Sequence, residues 1–260
     1  VRYVIGYECA TSMVGDPKER TKFFDFFDKY WDEYIGEPAS DPLGWQQLDI
    51  EGEALDSWYN YGPYSEYYAI CPNNPHWQAY HRFLIRTQFE AGCDGVFYDN
   101  PNKHPEGCYC AYCMEDFRGL LIERGVEAGD RSLTELGELT KDYPEIFMRS
   151  RLMASENFIR EMKRYAKSLE PDSLIYFNNS LNAPDQLYTN ARKWAFSIWN
   201  WSKHEDIVMV EDSASQPRRE KGEPHGVRGY RERIDDSLLI EYGSAYRMLK
   251  AVSGGRPVSA

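Results

Sequence analysis

The stretch CDGVFYDNPNKHPEGCYCAYCMEDFRGLL (residues 93–121) decides how this chain is read. DGVFYDN is a short apolar run bounded by turn residues, the pattern of a strand buried on both faces, and it ends on Asp99 and Asn100. A short loop carrying His104 follows, and then Cys108, Cys110 and Cys113 crowd onto the start of a helical pattern. A carboxylate at a strand end, so close to a cysteine cluster, asks for one explanation that covers both.

The alternation of strand and helix continues on either side. RYVIGYE (2–8) reads as a strand and DPKERTKFFDFFDKYWDEYIG (16–36) as a helix ended by Gly36. Residues 37–68, rich in Pro, Gly, Trp and Tyr, read as a long functional loop with one short strand around 45–49. NPHWQAYHRFLIRTQFEAG (74–92) has amphipathic helical spacing. Beyond the cysteines a helix runs through Glu123, a polar excursion covers 125–142, and a long helix spans 144–169 with Pro144 in its first turn. SLIYFNN (173–179) and IVMVED (207–212) read as strands separated by the helical region 184–206; a polar, Arg-rich loop (213–235) and a helix (236–252) complete the pattern.

Such alternation is the signature of βα units on a parallel sheet. No G-x-G-x-x-G turn follows a strand, which weighs against a doubly wound dinucleotide-binding sheet. The expected fold is α/β: a (β/α)8 TIM barrel, incomplete in this chain, with its first and last strands missing. A single domain over 1–260 is expected. The chain opens on a strand without Met and stops at SGGRPVSA, so it reads as a fragment of a longer polypeptide.

A net charge of −12 argues against sequence-independent binding of nucleic acid, which needs clustered cations. No apolar run reaches the roughly 18 residues a membrane helix needs. Twenty Tyr, seven Trp and twelve Phe make 15% of the chain aromatic, and flat aromatic faces suit hydroxylated ligands such as sugars, as well as a core. Homo-oligomerisation is compatible with this composition.

In a (β/α)8 barrel the chemistry sits where strands finish. Reading each strand to its last residue gives Glu8, Asp99, Asn178 with Asn179, and Glu211 with Asp212. Alternation along the strands places Phe97 with Asp99, and Met209 with Glu211, on single faces that can point to the barrel axis. Two carboxylates facing a sugar ring are what glycoside hydrolysis requires, one at the anomeric carbon and one protonating the leaving oxygen, and Asp99 and Glu211 are the expected pair. Asp99 must then stay ionised, which a donor such as Asn100 favours, and Glu211 must hold a proton, which Asp212 and apolar walls favour.

AGCDGVFYDN followed by IVMVEDS resembles the fourth and sixth strands of retaining glycoside hydrolase barrels, in which an Asp nucleophile and a Glu acid/base end these strands. The similarity to glycoside hydrolase-like barrels extends to CPNNPHW and LLIEYGSAYRMLKAVSGGRPVS. It implies an enzyme, a retaining O-glycoside hydrolase acting on an oligo- or polysaccharide, with Asp99 as nucleophile, Glu211 as acid/base and Asn178 hydrogen-bonding a sugar hydroxyl. Glu8, Asn100 and Asp212 are expected beside the substrate. The alternative is a carbohydrate-binding barrel without catalysis.

Cys108, Cys110 and Cys113 form C-x-C-x2-C, a spacing from which thiolates converge on a tetrahedral ion, with a fourth ligand from elsewhere. Cys71 or His104 could supply it, and reduced cysteines without metal, or a disulfide in an exported protein, are the bland readings. The order of Cys71 in CPNNPHW and the later cluster resembles the zinc site of family 42 β-galactosidases, which implies one structural zinc on Cys71, Cys108, Cys110 and Cys113 and no organic cofactor. Such a site would pin the loop leaving the Asp99 strand. Four thiolates also exclude zinc-dependent hydrolysis, which needs an open position. A reduced cluster leans toward a cytoplasmic setting. Cys9 and Cys93 read as small buried apolar residues.

Trp45, Trp58 and Tyr59 are candidates for a sugar-stacking platform, with core packing an equal reading, and Trp199 and Trp201 read as core. Arg218, Arg219, Arg228, Arg231 and Arg233 read as a solvated loop, or as the recognition surface for an anionic sugar. The histidines show no metal-ligand spacing.

Overall fold

The structure is a computed structural model that describes residues 3–57, 66–179, 186–209, 247 and 249–259. Its centre is a parallel sheet of β1 (Ile5–Cys9), β4 (Gly95–Asp99) and β5 (Leu174–Phe177), hydrogen-bonded in that order. Cys9 lies opposite Asp99 and Tyr98 opposite Phe177, so the three strands finish on one edge. β6 (Val208–Met209) continues the wall: the Asp206 N–H donates to the Ile175 carbonyl at 2.8 Å, and the Asp206 carboxylate accepts from the Ile175 N–H at 2.9 Å. β7 (Val258–Ser259) pairs parallel with β6. These parallel strands therefore neighbour one another in chain order, as in the wall of a barrel, and the described residues form three- and two-stranded parallel sheets rather than a closed one.

The outward face of the central sheet is dictated by composition. Val96, Tyr98, Ile175 and Phe177 are all fully buried beneath α2 (Pro75–Glu90) and α5 (Pro144–Leu169). α5 presents Ala154, Phe158, Ile159, Met162 and Ala166, the i, i+4 and i+3 stripe of a helix with one buried side. α2 starts where Asn74 caps it, its side-chain oxygen accepting from His76 N–H at 2.9 Å and Trp77 N–H at 3.2 Å, with Pro75 at the first position. α1 (Phe23–Tyr34) packs Phe23, Phe24 and Trp31 onto the same core.

Two parts of the chain differ from expectation. Residues 45–49 do not join the parallel sheet. Pro42–Trp45 is a 3-10 turn, started by Asp41 accepting from the Leu43 N–H, and isolated antiparallel bridges follow from Gln46 to Ile70 and Leu48 to Ala54. They adjoin the antiparallel pair of β2 (Ser12–Val14) and β3 (Tyr67–Ala69), a small platform above the strand ends. The polar excursion also hides a helix, α4 (Leu133–Asp142), opened by a capping box in which Ser132 and Glu135 satisfy each other's N–H groups. It packs with α3 (Ala111–Glu123) in a second apolar cluster of Met114, Phe117, Leu121, Ala128 and Leu136. α6 (Gln186–Trp194) and α7 (Ile198–Trp201) fill the expected helical region, and Trp201 is core while Trp199 is exposed. No helix among the described residues is long and apolar enough to cross a membrane.

Candidate active site and metal centre

Asp99 ends the middle strand of the sheet, and its carboxylate is held from both sides. Tyr7 of β1 donates its hydroxyl to Oδ2 at 2.5 Å, and Asn178, just past β5, donates its side-chain amide to Oδ1 at 2.7 Å. Three neighbouring strands thus contribute one polar side chain each to one face. Tyr7 packs on Phe97, and Phe97 on Tyr176, along the same face. Tyr7 was not among the residues the sequence pointed to; the register that sets it opposite Phe97 puts it on the face of Asp99.

Glu8 belongs to the other face. It alternates with Tyr7, pairs in register with the buried Tyr98, and accepts a hydrogen bond from the Gln88 side chain of α2. A Cβ on Gly6, two residues earlier, would collide with that same Gln88. Burial pushes the Glu8 carboxyl up to about 8, with the Gln88 hydrogen bond acting in the opposite sense. Glu8 lines a cleft of 1010 Å³ between α1 and α2, behind the sheet, together with Phe23, Phe26, Tyr80 and Phe83. Glu8 therefore stands on the face opposite Asp99 and not beside it on the rim, because successive residues of a strand face opposite ways.

Asn100 turns the chain out of β4 with φ 51°, a left-handed conformation that Asn tolerates. Its carbonyl accepts from the Thr11 hydroxyl at 2.8 Å, while Ala10 N–H donates to the Asp99 carbonyl at 2.9 Å, so the exits of β1 and β4 are tied together. Its side chain is buried. Asn179 is also buried and donates to the Glu205 carboxyl at 2.9 and 3.1 Å and to the Met209 carbonyl at 2.6 Å. Burial pushes Glu205 up to about 8, against the hydrogen bond from Asn179. Trp45 is 1% exposed among Phe23, Phe27, Trp31 and His76, so the core reading of Trp45 is the one its surroundings fit. Trp58, Tyr59, Glu211, Asp212 and the five loop arginines lie outside the described residues.

The four cysteines come together. Cys71 follows β3 and donates its N–H to the Trp45 carbonyl, Cys110 is the N-cap of α3, Cys113 lies in the first turn of α3, and Cys108 precedes both. Their sulfurs all lie within 4.8 Å of one another and are buried, with Cys71 3.4 Å from Cys113 and 3.5 Å from Cys110. Four thiolates at about 2.3 Å from a tetrahedral ion would sit about 3.8 Å apart, so the donor set and its spacing fit such an ion. A disulfide needs about 2.05 Å, and all six cysteines are free. His104 stays outside: its Nδ1 accepts from the Glu106 N–H at 3.2 Å.

Lys103, also unanticipated, is buried against this cluster with Nζ 2.8 Å from the Cys113 sulfur. Burial alone would lower its pKa; the Cys113, Cys71 and Cys108 sulfurs more than offset this and raise it. Cys113 is held well below the usual thiol range by hydrogen bonds from Cys108, Cys110 and Cys71, with Lys103 adding to them, whereas burial pushes Cys71 and Cys108 up.

No protein-family model and no curated protein matches the chain. Solved structures do. A β-galactosidase from Bacillus circulans sp. alkalophilus superposes with a TM-score of 0.51 at 14% identity, over 88% of this chain and 32% of its own. A cycloisomaltooligosaccharide glucanotransferase from Paenibacillus sp., complexed with cycloisomaltoheptaose, gives 0.50 at 16% identity, over 99% of this chain and 26% of its own. The likeness is one of fold. The chain spans about a third or less of the length of these two enzymes.

Proposed function

We propose that the chain forms the sugar-processing part of a retaining O-glycoside hydrolase acting on an oligo- or polysaccharide. The observation that carries this reading is the Asp99 carboxylate, standing at the finish of the central strand and oriented by Tyr7 and Asn178 from the strands on either side. Likeness in fold to a β-galactosidase and a glucanotransferase supports it.

In this mechanism Asp99 attacks the anomeric carbon while Glu211 gives its proton to the departing glycosidic oxygen. Glu211, now a carboxylate, then takes a proton from a water that attacks the same carbon and displaces Asp99, so two inversions give net retention. Tyr7 and Asn178 aim the Asp99 oxygens, and Asn178 would hydrogen-bond a sugar hydroxyl as well. Asp212, next to Glu211, favours the protonated acid. Cys71, Cys108, Cys110 and Cys113 would hold one structural zinc, which contributes no step to the reaction and fixes the loop leaving Asp99.

Turnover of an aryl glycoside or oligosaccharide panel tests the proposal: the parent protein should hydrolyse at least one member, Asp99→Asn should abolish this, and Glu211→Gln should impair oligosaccharides with poor leaving groups far more than activated aryl glycosides, each variant still binding ligand. A parent without turnover, whose sugar binding is undiminished in both variants, would instead be a non-catalytic carbohydrate-binding barrel.

A further inference from the structure

We propose that Lys103 is the charge partner of the cysteine metal centre, a positioning residue that sets how tightly the ion is held and links the ion to the loop that follows Asp99; this rests on the metal reading above. Lysine is almost never fully buried unless it is paired, and Lys103 is 1% exposed. Its Nζ lies 2.8 Å from the Cys113 sulfur, with the Cys71, Cys108 and Cys110 sulfurs in the same buried cluster. A buried cation of this kind calls for an anionic neighbour, and a thiolate at Cys113 provides one.

A divalent ion bound by the four cysteines would hold Cys113 in that form. Such a centre carries two negative charges in excess, and one ammonium on a ligand sulfur compensates half of them. The same sulfur receives a second donor: the Asn73 side-chain amide is 3.7 Å away and is anchored by the Asp116 carboxylate at 2.7 Å. Donors placed on a ligand atom in this way orient it and tune its hold on the metal.

The position of Lys103 in the chain gives the contact a second consequence. The cysteine ligands come from either side of residues 100–107, and none comes from within them. Lys103 is the side chain through which that loop grips the centre, while its own N–H donates to the Trp194 carbonyl at 3.0 Å. Neighbouring backbone is clamped separately, His104 donating its N–H to the Gln47 side chain at 3.0 Å and accepting from Arg151 at 2.8 Å.

The test is competition for zinc between a chromogenic chelator and the full protein, as wild type, Lys103→Met and Lys103→Arg. Lys103→Met keeps the length and removes the charge, and should weaken zinc binding about 10–100-fold; Lys103→Arg should recover part of the loss. With zinc still bound, amides of residues 101–107 should exchange faster in Lys103→Met than in wild type. Zinc affinity in Lys103→Met within about twofold of wild type would overturn the inference while leaving the metal site standing. Failure of the wild type to bind a stoichiometric ion would overturn both. If neither variant folds, nitrogen NMR of the cadmium-loaded wild type decides: a slowly exchanging lysine ammonium signal that vanishes on chelation is expected, and ammonium signals that all exchange freely would contradict the pairing.

Discussion

Among the described residues each oxygen of Asp99 has one side-chain donor, so removing a donor should release one side of the carboxylate without unfolding the sheet. Tyr7 lies on an open face, 61% exposed, which makes Tyr7→Phe the cleanest such change. Hydrogen bonds to charged groups contribute roughly 1.5–3 kcal/mol, so kcat for glycoside hydrolysis should fall about 10–100-fold in Tyr7→Phe with KM and melting temperature little altered. Unchanged kcat would remove Tyr7 from the site. Asp99 itself was legible in the sequence, because an apolar run ending in DN admits few readings. Tyr7 and Glu8 were not separated, because adjacent residues on a strand face opposite ways and only the register shows which face is helix-covered. Lys103 was invisible for a different reason: nothing in NPNKHPEG distinguishes a buried ammonium from a solvated one.

Helices with a strong apolar stripe, α2 and α5, were readable to within a residue or two. α4 was not, since its composition is polar, yet its S-x-x-E start at Ser132 and Glu135 was a signal that could have been used. Ser132→Ala should lower stability by about 1 kcal/mol, seen as a drop in melting temperature of about 2–4 °C. The stretch after α1 misled in the other direction: its residues suit a strand, yet Gln46 makes a lone antiparallel bridge to Ile70 just past β3 and Leu48 one to Ala54 within the loop itself. The platform and α3 both border the cysteines, so removal of the proposed zinc should be felt there. Chelation should accelerate hydrogen exchange in residues 101–107 and the first turn of α3, and leave the amides of β4 and β5 protected; uniform exchange across the sheet would contradict a local structural role for the ion.

Across the molecule, two buried carboxyls set a common pH response. Glu8 and Glu205 are each raised from 4.5 to about 8, in both cases by burial. Between these values the unfolded chain has lost protons that the folded one keeps, so stability should fall as pH rises from about 5 to 8 and level off above. Glu205→Gln, which keeps the shape and an acceptor for Asn179, should flatten its share of that slope in melting temperature against pH; an unaltered slope would deny Glu205 the role. Alternation of elements was enough to foresee a parallel sheet with strands neighbouring in chain order, because β–α–β connectivity leaves few alternatives. How far the wall closes is not written in the alternation of the described segments, whose strands β6 and β7 are only two residues each. The central claim concerns chemistry at the Asp99 rim, and the stereochemistry of the first product tests it most directly. Hydrolysis of a substrate followed by proton NMR should show the anomer of the starting configuration released first, mutarotating only later. Release of the inverted anomer first would contradict a nucleophilic Asp99.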